Sequence, residues 1–353
     1  MESAIGVGDV AQQGSKGGRE APASGATQLE TVLRTARKAL VLGVGGGGDV
    51  VGAIPTARFL ELFGITCVLG GLSWERFVYD PQPGTRTLAE VTNVRPLAPT
   101  AWLANAQTAT TSGVRFAESR VAELYGAETL LVDLSQGAAG VVAGLRAAIE
   151  QLGADLLVGV DVGGDSLAEG HEPGLRSPVA DALMLAAFSQ LGDELPSLWG
   201  VFGYGSDAEL TPAEIDHALS VVAEHGGLLG AWGMTPAVAA ELRRVVEQVP
   251  TEASAIAVAC AEGARGTRAI RNGTRTLALS PVGIVTFYLA PRVLYERVAA
   301  LARLVADAPS LEAASARLVD GGFPSEYAFE VEMYRRGAHE YPPDARNSYL
   351  RPH

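Results

Sequence analysis

Short uninterrupted apolar runs alternate along the first two-thirds of the chain with longer segments whose apolar residues recur at helical spacing. The runs are Ala39-Leu40-Val41-Leu42-Gly43-Val44, Thr66-Cys67-Val68-Leu69, residues 129–134, 155–162 and 196–203. A continuous apolar run of this length fits a strand covered on both faces. Helices are predicted over 28–37, 50–63, 116–125, 138–151, 178–191 and 212–225, each beside one of these strands. Strands alternating with helices imply right-handed crossovers and an α/β fold. The expected form is Rossmann-like and doubly wound, a mostly parallel sheet with helices on both faces. Residues 72–125 are less regular, because Pro81, Pro83, Pro96 and Pro99 interrupt any long element. After 226 the alternation weakens into an elaborated C-terminal half. Helices are predicted over 236–248 and 251–263, with a hairpin of 268–271 and 276–279 around Asn272-Gly273. A strand over 283–289 and helices over 292–307 and 310–319 follow. This reads as one domain over 28–340, with two lobes split near 226 as the alternative. The Gly-, Ala-, Ser- and Gln-rich residues 1–27 read as a disordered tail, and the Pro-rich 341–353 as a loop.

Charge narrows the function classes. With 27 Lys+Arg against 40 Asp+Glu the net charge is −13, which argues against nucleic acid or an anionic membrane surface as partner. No apolar stretch reaches the ~18 residues of a membrane span, and no secretory h-region is visible. Cys67 and Cys260 are too few for a disulfide framework, so a cytoplasmic location is expected. Lysine occurs only at 16 and 38, before the first glycine-rich turn. That excludes the usual P-loop lysine and argues against pyridoxal phosphate, which needs a Schiff-base lysine.

Two glycine–aspartate loops carry the candidate chemistry. The first, Gly43-Val44-Gly45-Gly46-Gly47-Gly48-Asp49, follows a strand and opens a helix. Ligands of open α/β sheets bind at such strand ends, and glycines let backbone N–H groups approach an anion. Gly45, Gly46, Gly47, Gly48 and Asp49 are therefore read as ligand-binding. The same residues would also make a tight turn with Asp49 as N-cap.

The second loop runs Asp161-Val162-Gly163-Gly164-Asp165-Ser166, then Glu169, His171, Glu172 and Asp181. Asp161, Asp165, His171 and Glu172 are the candidate catalytic residues. Carboxylates at a sheet edge can hold Mg²⁺ or Ca²⁺ or move protons, so Asp161 and Asp165 are also the candidate metal ligands. Asp181, in the first turn after Ser177-Pro178, has a simpler reading as complement to the helix dipole. Gly163 and Gly164, with Ser135, Gly205 and Ser206 at two further strand ends, would line the same cleft. Arg76, in Trp74-Glu75-Arg76-Phe77, could clamp a phosphate or carboxylate.

The stretches 43–53, 74–84, 160–182 and 280–289 together resemble the domain of unknown function 1152 family of archaea and bacteria, over about 38–335. The resemblance implies a Rossmann-like fold and carries no assigned activity or catalytic residue. From the residues, the expected function is a hydrolase or group transferase acting on a small anionic, phosphorylated or nucleotide-like metabolite, with a divalent cation as candidate cofactor. A non-catalytic nucleotide-binding protein and a subunit of an assembly are the alternatives. A small-molecule ligand is the expected partner, and homo-oligomerisation stays open.

Overall fold

A computed structural model describes residues 28–338; the expectations for 1–27 and 341–353 lie outside the described residues. The architecture is α/β: the described residues form twelve helices around a mostly parallel, mixed sheet of nine strands. Five parallel strands form its centre, in the order β5 (Thr129–Val132), β2 (Thr66–Leu72), β1 (Lys38–Gly43), β6 (Leu156–Val162), β7 (Ser197–Phe202). Every residue of β5, β6 and β7 is buried, as expected for strands covered on both faces. Side chains alternate between two cores. Ala39 and Val41 face α2 (Asp49–Glu61), while Leu40 and Leu42 face α4 (Gly137–Leu152) and α5 (Pro178–Leu191). Helix α5 is apolar on all sides because a second helical layer covers it. That layer is α9 (Pro291–Arg297), α10 (Ala300–Val305) and α11 (Leu311–Asp320).

The chain runs outward from β1 to β2, then returns after β5 to place β6 on the other side of β1. Neighbouring β1 and β6 thus form the point where strand order reverses, and a crevice opens beyond their carboxyl ends. The two glycine–aspartate loops are the loops that follow these strands.

Four features depart from the expected pattern. Residues 91–110 form an antiparallel pair, β3 (Val91–Ala98) and β4 (Ala101–Thr110), on one edge of the sheet. Pro96 is accommodated because β3 is the outermost strand, where a missing N–H on the open side breaks no ladder. On the other edge, β8 (Leu228–Gly233) pairs with β11 (Val285–Leu289), which runs antiparallel to β7. Strands from both halves of the chain therefore share one sheet. The helix expected over 292–307 divides at Val298–Ala299, where the backbone leaves helical geometry so that α9 and α10 both pack on α5. A further helix, α12 (Glu326–Arg336), follows α11. The hairpin forms as expected: β9 (Gly266–Ile270) and β10 (Arg275–Leu279) joined by a turn with Arg271 and Asn272 at positive φ. Of the remaining helices, α1 (Leu29–Thr35), α3 (Ala117–Tyr125), α7 (Pro236–Val246) and α8 (Glu252–Ala261) lie on the α2 side, and α6 (Pro212–Glu224) on the other.

Trp199 on β7 links this core to the crevice. It is fully buried, meets Phe188 edge-to-face at 5.3 Å, and its Nε1 donates to Ser166 Oγ at 2.9 Å. Trp199→Ala should cost about 3–5 kcal/mol, read as a lower urea midpoint. An unchanged midpoint would contradict this packing.

Candidate functional site

The β1–α2 loop turns sharply because Gly46, Gly47 and Gly48 all take positive φ (73°, 55° and 116°). Its glycines are also covered. A Cβ on Gly47 would meet the Arg76 stem at 2.5 Å, and one on Gly48 would meet Thr251 at 3.1 Å. Gly47 N–H donates to Trp74 C=O, and Gly45 N–H to Asp49 Oδ2 at 3.0 Å. Gly45 is different: a Cβ there would sit 2.7 Å from Asp49 Oδ2 and 3.1 Å from Asp181 Oδ2. The loop thus presents Gly45 to two carboxylates, Asp49 at its own end and Asp181 on α5.

The β6–α5 loop is built on Asp161. Its Oδ1 accepts from Gly164 N–H at 3.1 Å, and its Oδ2 accepts from Ser166 N–H at 3.0 Å and from Ser166 Oγ. Ser166 is in turn held by Trp199. Asp161 is wholly buried beneath the loop, while Asp165 lies above it and lines the cleft.

Asp181 stands in the first turn of α5, 1% exposed, and neither carboxylate oxygen has a hydrogen-bond partner. It does not serve as the helix's terminal anion. Glu326 on α12 fills that role, its two oxygens accepting from Val179 N–H at 3.0 Å and Ala180 N–H at 2.8 Å. Oxygens of Asp161, Asp165 and Asp181 lie within 4.8 Å of one another.

A second set with the same spacing is Asp165, Asp207 and Glu209. Its chemistry differs, because Glu209 is saturated. It accepts from Arg176 N–H at 2.6 Å, Ser177 N–H at 2.9 Å, Ser177 Oγ, and Arg275 Nη1 at 2.8 Å. A carboxylate with four donors has little lone-pair capacity left for a cation. The Asp161–Asp165–Asp181 group, with an unbonded carboxylate, is the better cation position among the described residues.

The cleft around these groups is lined by eight carboxylates and three arginines. The acids are Asp49, Glu75, Asp165, Asp181, Asp207, Glu209, Glu326 and Glu330; the arginines are Arg76, Arg271 and Arg275. Burial, reinforced by Asp181 and its neighbours, pushes Asp165 well above the usual carboxylate range. Burial and the charges of Asp161 and Asp49 do the same to Asp181. Asp49 is raised by burial and by Asp161. Burial lifts Asp207 to about 8, Glu326 to about 7, Glu330 to about 8 and Glu75 to about 7. Glu209 is the exception: burial works against its ionised form, but Arg275 and its other donors outweigh that and hold it below the usual range.

The residues singled out in sequence divide accordingly. Gly45, Gly46, Gly47, Asp49, Arg76 and Asp165 line the cleft, and Asp161 supports it from below. The rest are not among its lining residues. The His171 side chain is 72% exposed and 3.9 Å from Glu169. Glu172 closes its own loop by accepting from Glu169 and Gly170 N–H groups at 2.7 and 2.8 Å. Ser135 donates to Asp133 from both its N–H and Oγ. Gly163 packs over Asp207, and Gly164 donates to Asp161. Gly205 N–H donates to Gly163 C=O, Ser206 is fully buried, and Gly48 packs against Thr251.

Sequence reasoning overlooked Glu209, Arg271, Arg275, Glu326 and Glu330 as site residues, and read Asp181 as a dipole partner. Asp207, at the end of β7, carried the one usable signal: an acid at the same sheet edge as Asp161.

No helix among the described residues is long and apolar enough to cross a membrane. No curated protein and no solved structure matches the chain. A family model described as "protein of unknown function (DUF1152)" matches residues 40–334, a span that includes both glycine–aspartate loops and all eight cleft carboxylates. The chain belongs to the DUF1152 family.

Proposed function

We propose that the protein is an enzyme, a hydrolase or group transferase, that acts on a small anionic metabolite with the help of a divalent cation bound by Asp161, Asp165 and Asp181. One observation carries this reading: the Asp181 carboxylate is buried beside two other carboxylates and has no donor to either oxygen. A charge in that position is several kcal/mol unfavourable unless paired. A cation supplies the missing partner. All three donors are hard carboxylate oxygens, with no Cys or His in the group, which suits Mg²⁺ or Ca²⁺ rather than a softer metal. Such an ion supplies Lewis acidity toward a phosphoryl or carbonyl oxygen. Asp161 orients the loop that carries Asp165, and Glu326 leaves Asp181 free of the helix terminus.

Cation binding should stabilise the folded chain by about 2.7 kcal/mol at a hundredfold excess over Kd. This should appear as a rise in Tm with MgCl₂ or MnCl₂. In Asp181→Asn the rise should disappear, while the metal-free variant keeps a cooperative melt that shows it is folded. A wild type indifferent to every divalent cation would overturn the reading.

The raised carboxyls also set a pH dependence. In the folded chain, burial keeps Glu326, Asp207 and Glu330 protonated at pH values where the unfolded chain has released those protons. The folded state then binds more protons, so stability falls as pH rises. In a chelator, denaturant titrations should show stability declining from about pH 5 through about 7 to 8, the values to which these groups are raised. Saturating Mg²⁺ should flatten the decline. A metal-free stability that increases over this window would contradict the account.

A further inference from the structure

We infer that the anion seat of the cleft is its arginine wall, Arg76, Arg271 and Arg275, and that a phosphoryl group of the substrate bridges this wall to the cation. The inference rests on the cation reading above and names the chemical class that completes it. The glycine-rich loop cannot be the seat by itself: Trp74, Arg76 and Thr251 cover it, and its open face at Gly45 looks onto Asp49 and Asp181. An oxyanion set directly against those carboxylates would be repelled.

The arginines come from two segments, Arg76 from the loop after β2 and Arg271 and Arg275 from the β9–β10 hairpin, and all three line the one cavity. Their side chains are only 15%, 16% and 13% exposed. Each is fixed in place. The Arg76 stem packs on Gly47, Arg271 Nη1 meets Glu252 at 3.1 Å, and Arg275 donates to Asp207 C=O at 3.0 Å as well as to Glu209. Helix α8 starts on the same wall, with Thr251 and Ala253 in the lining and no side-chain cap. Planar guanidinium groups held in this way suit the paired oxygens of a phosphoryl group.

Glu209 measures the gap. It bonds Arg275 at 2.8 Å, and its ligating oxygen lies within 4.8 Å of that of Asp165, which also belongs to the cation group. Arg275 and the cation group are thus linked through Glu209 and Asp165, and it is this junction that the phosphoryl group is inferred to span. The unbonded, buried Asp181 carboxylate in the same cleft is an observation apart from the arginines that points to a ligand there. Phosphate and cation should then strengthen each other's binding by the same factor.

Isothermal titration of the full chain with MgCl₂, with inorganic phosphate and with both, corrected for magnesium phosphate in solution, tests this. The expected result is at least a tenfold gain in phosphate affinity at saturating Mg²⁺, with the reciprocal gain for Mg²⁺. Arg271→Gln and Arg275→Lys should each cut that gain at least fivefold, and acetate in place of phosphate should show little of it. Folding of each variant is checked by its cooperative melt, and Arg271→Gln serves where loss of the Glu209 partner unfolds the other. Phosphate that binds equally without Mg²⁺, fails to bind the Mg²⁺-loaded chain, or keeps full coupling in the folded arginine variants overturns the inference. In those cases the cation reading stands if Mg²⁺ still binds. Acetate coupling as strong as that of phosphate would replace the phosphoryl class with a carboxylate. Failure of Mg²⁺ to bind removes both.

Discussion

A carboxylate withdrawn from water needs hydrogen-bond donors or an opposite charge, and the crevice beyond β1 and β6 sorts its acids by how that need is met. Asp161 is met by the N–H groups of its own loop. Glu209 is met by Arg275 and three donors from residues 176 and 177, Glu326 by the first turn of α5, and Glu330 by Trp74 Nε1 and Gly84 N–H at 2.9 and 2.8 Å. These four tie strands, helices and the C-terminal α12 into one frame. Asp181 is left over. It is crowded by Asp161, Asp49, Glu326 and Glu209, and neither of its oxygens finds a donor among the described residues. In the proposed reading this is a binding site, where stability is given up locally so that a bound cation restores it.

The fold makes this arrangement accessible. Reversal of strand order between β1 and β6 leaves their following loops side by side, and glycines allow those loops to turn within a few residues. Gly45 lets Asp49 and Asp181 approach its Cα, so the two loops meet through carboxylates rather than through packed apolar side chains. The hairpin and α12, both from the C-terminal half, close the cleft from the opposite side. One brings arginine and the other brings glutamate, which in the proposed reading serve an anion and a cation respectively.

The parallel core was legible in sequence because its strands are apolar throughout and its helices periodic. The segments 129–134 and 155–162 and the helix over 178–191 fall within a few residues of β5, β6 and α5. What escaped notice lies at the edges. β3 carries Pro96 and a bulge at Asn93 with φ 57°, and β8 is half-exposed and glycine-rich, so neither shows a buried-strand pattern. Helix α12 carries acids on the face that looks into the cleft, and this removed the apolar stripe that would have announced it. Its Glu326 and Glu330 were invisible as site residues for the same reason. Asp161 and Asp165 were conspicuous at a strand end, but which of them lines the cleft depends on a single loop turn. The sequence offers Asp181 as the helix-dipole partner, whereas Glu326, 145 residues further along the chain, takes that role.

Crystals grown with Mn²⁺ and examined by anomalous scattering put the central claim to its most direct test. The account predicts one strong peak among Asp161, Asp165 and Asp181, about 2.0–2.3 Å from their oxygens, as hard divalent ions require. An Asp181 carboxyl that stays without a metal in such crystals, with the manganese elsewhere or absent, would contradict it.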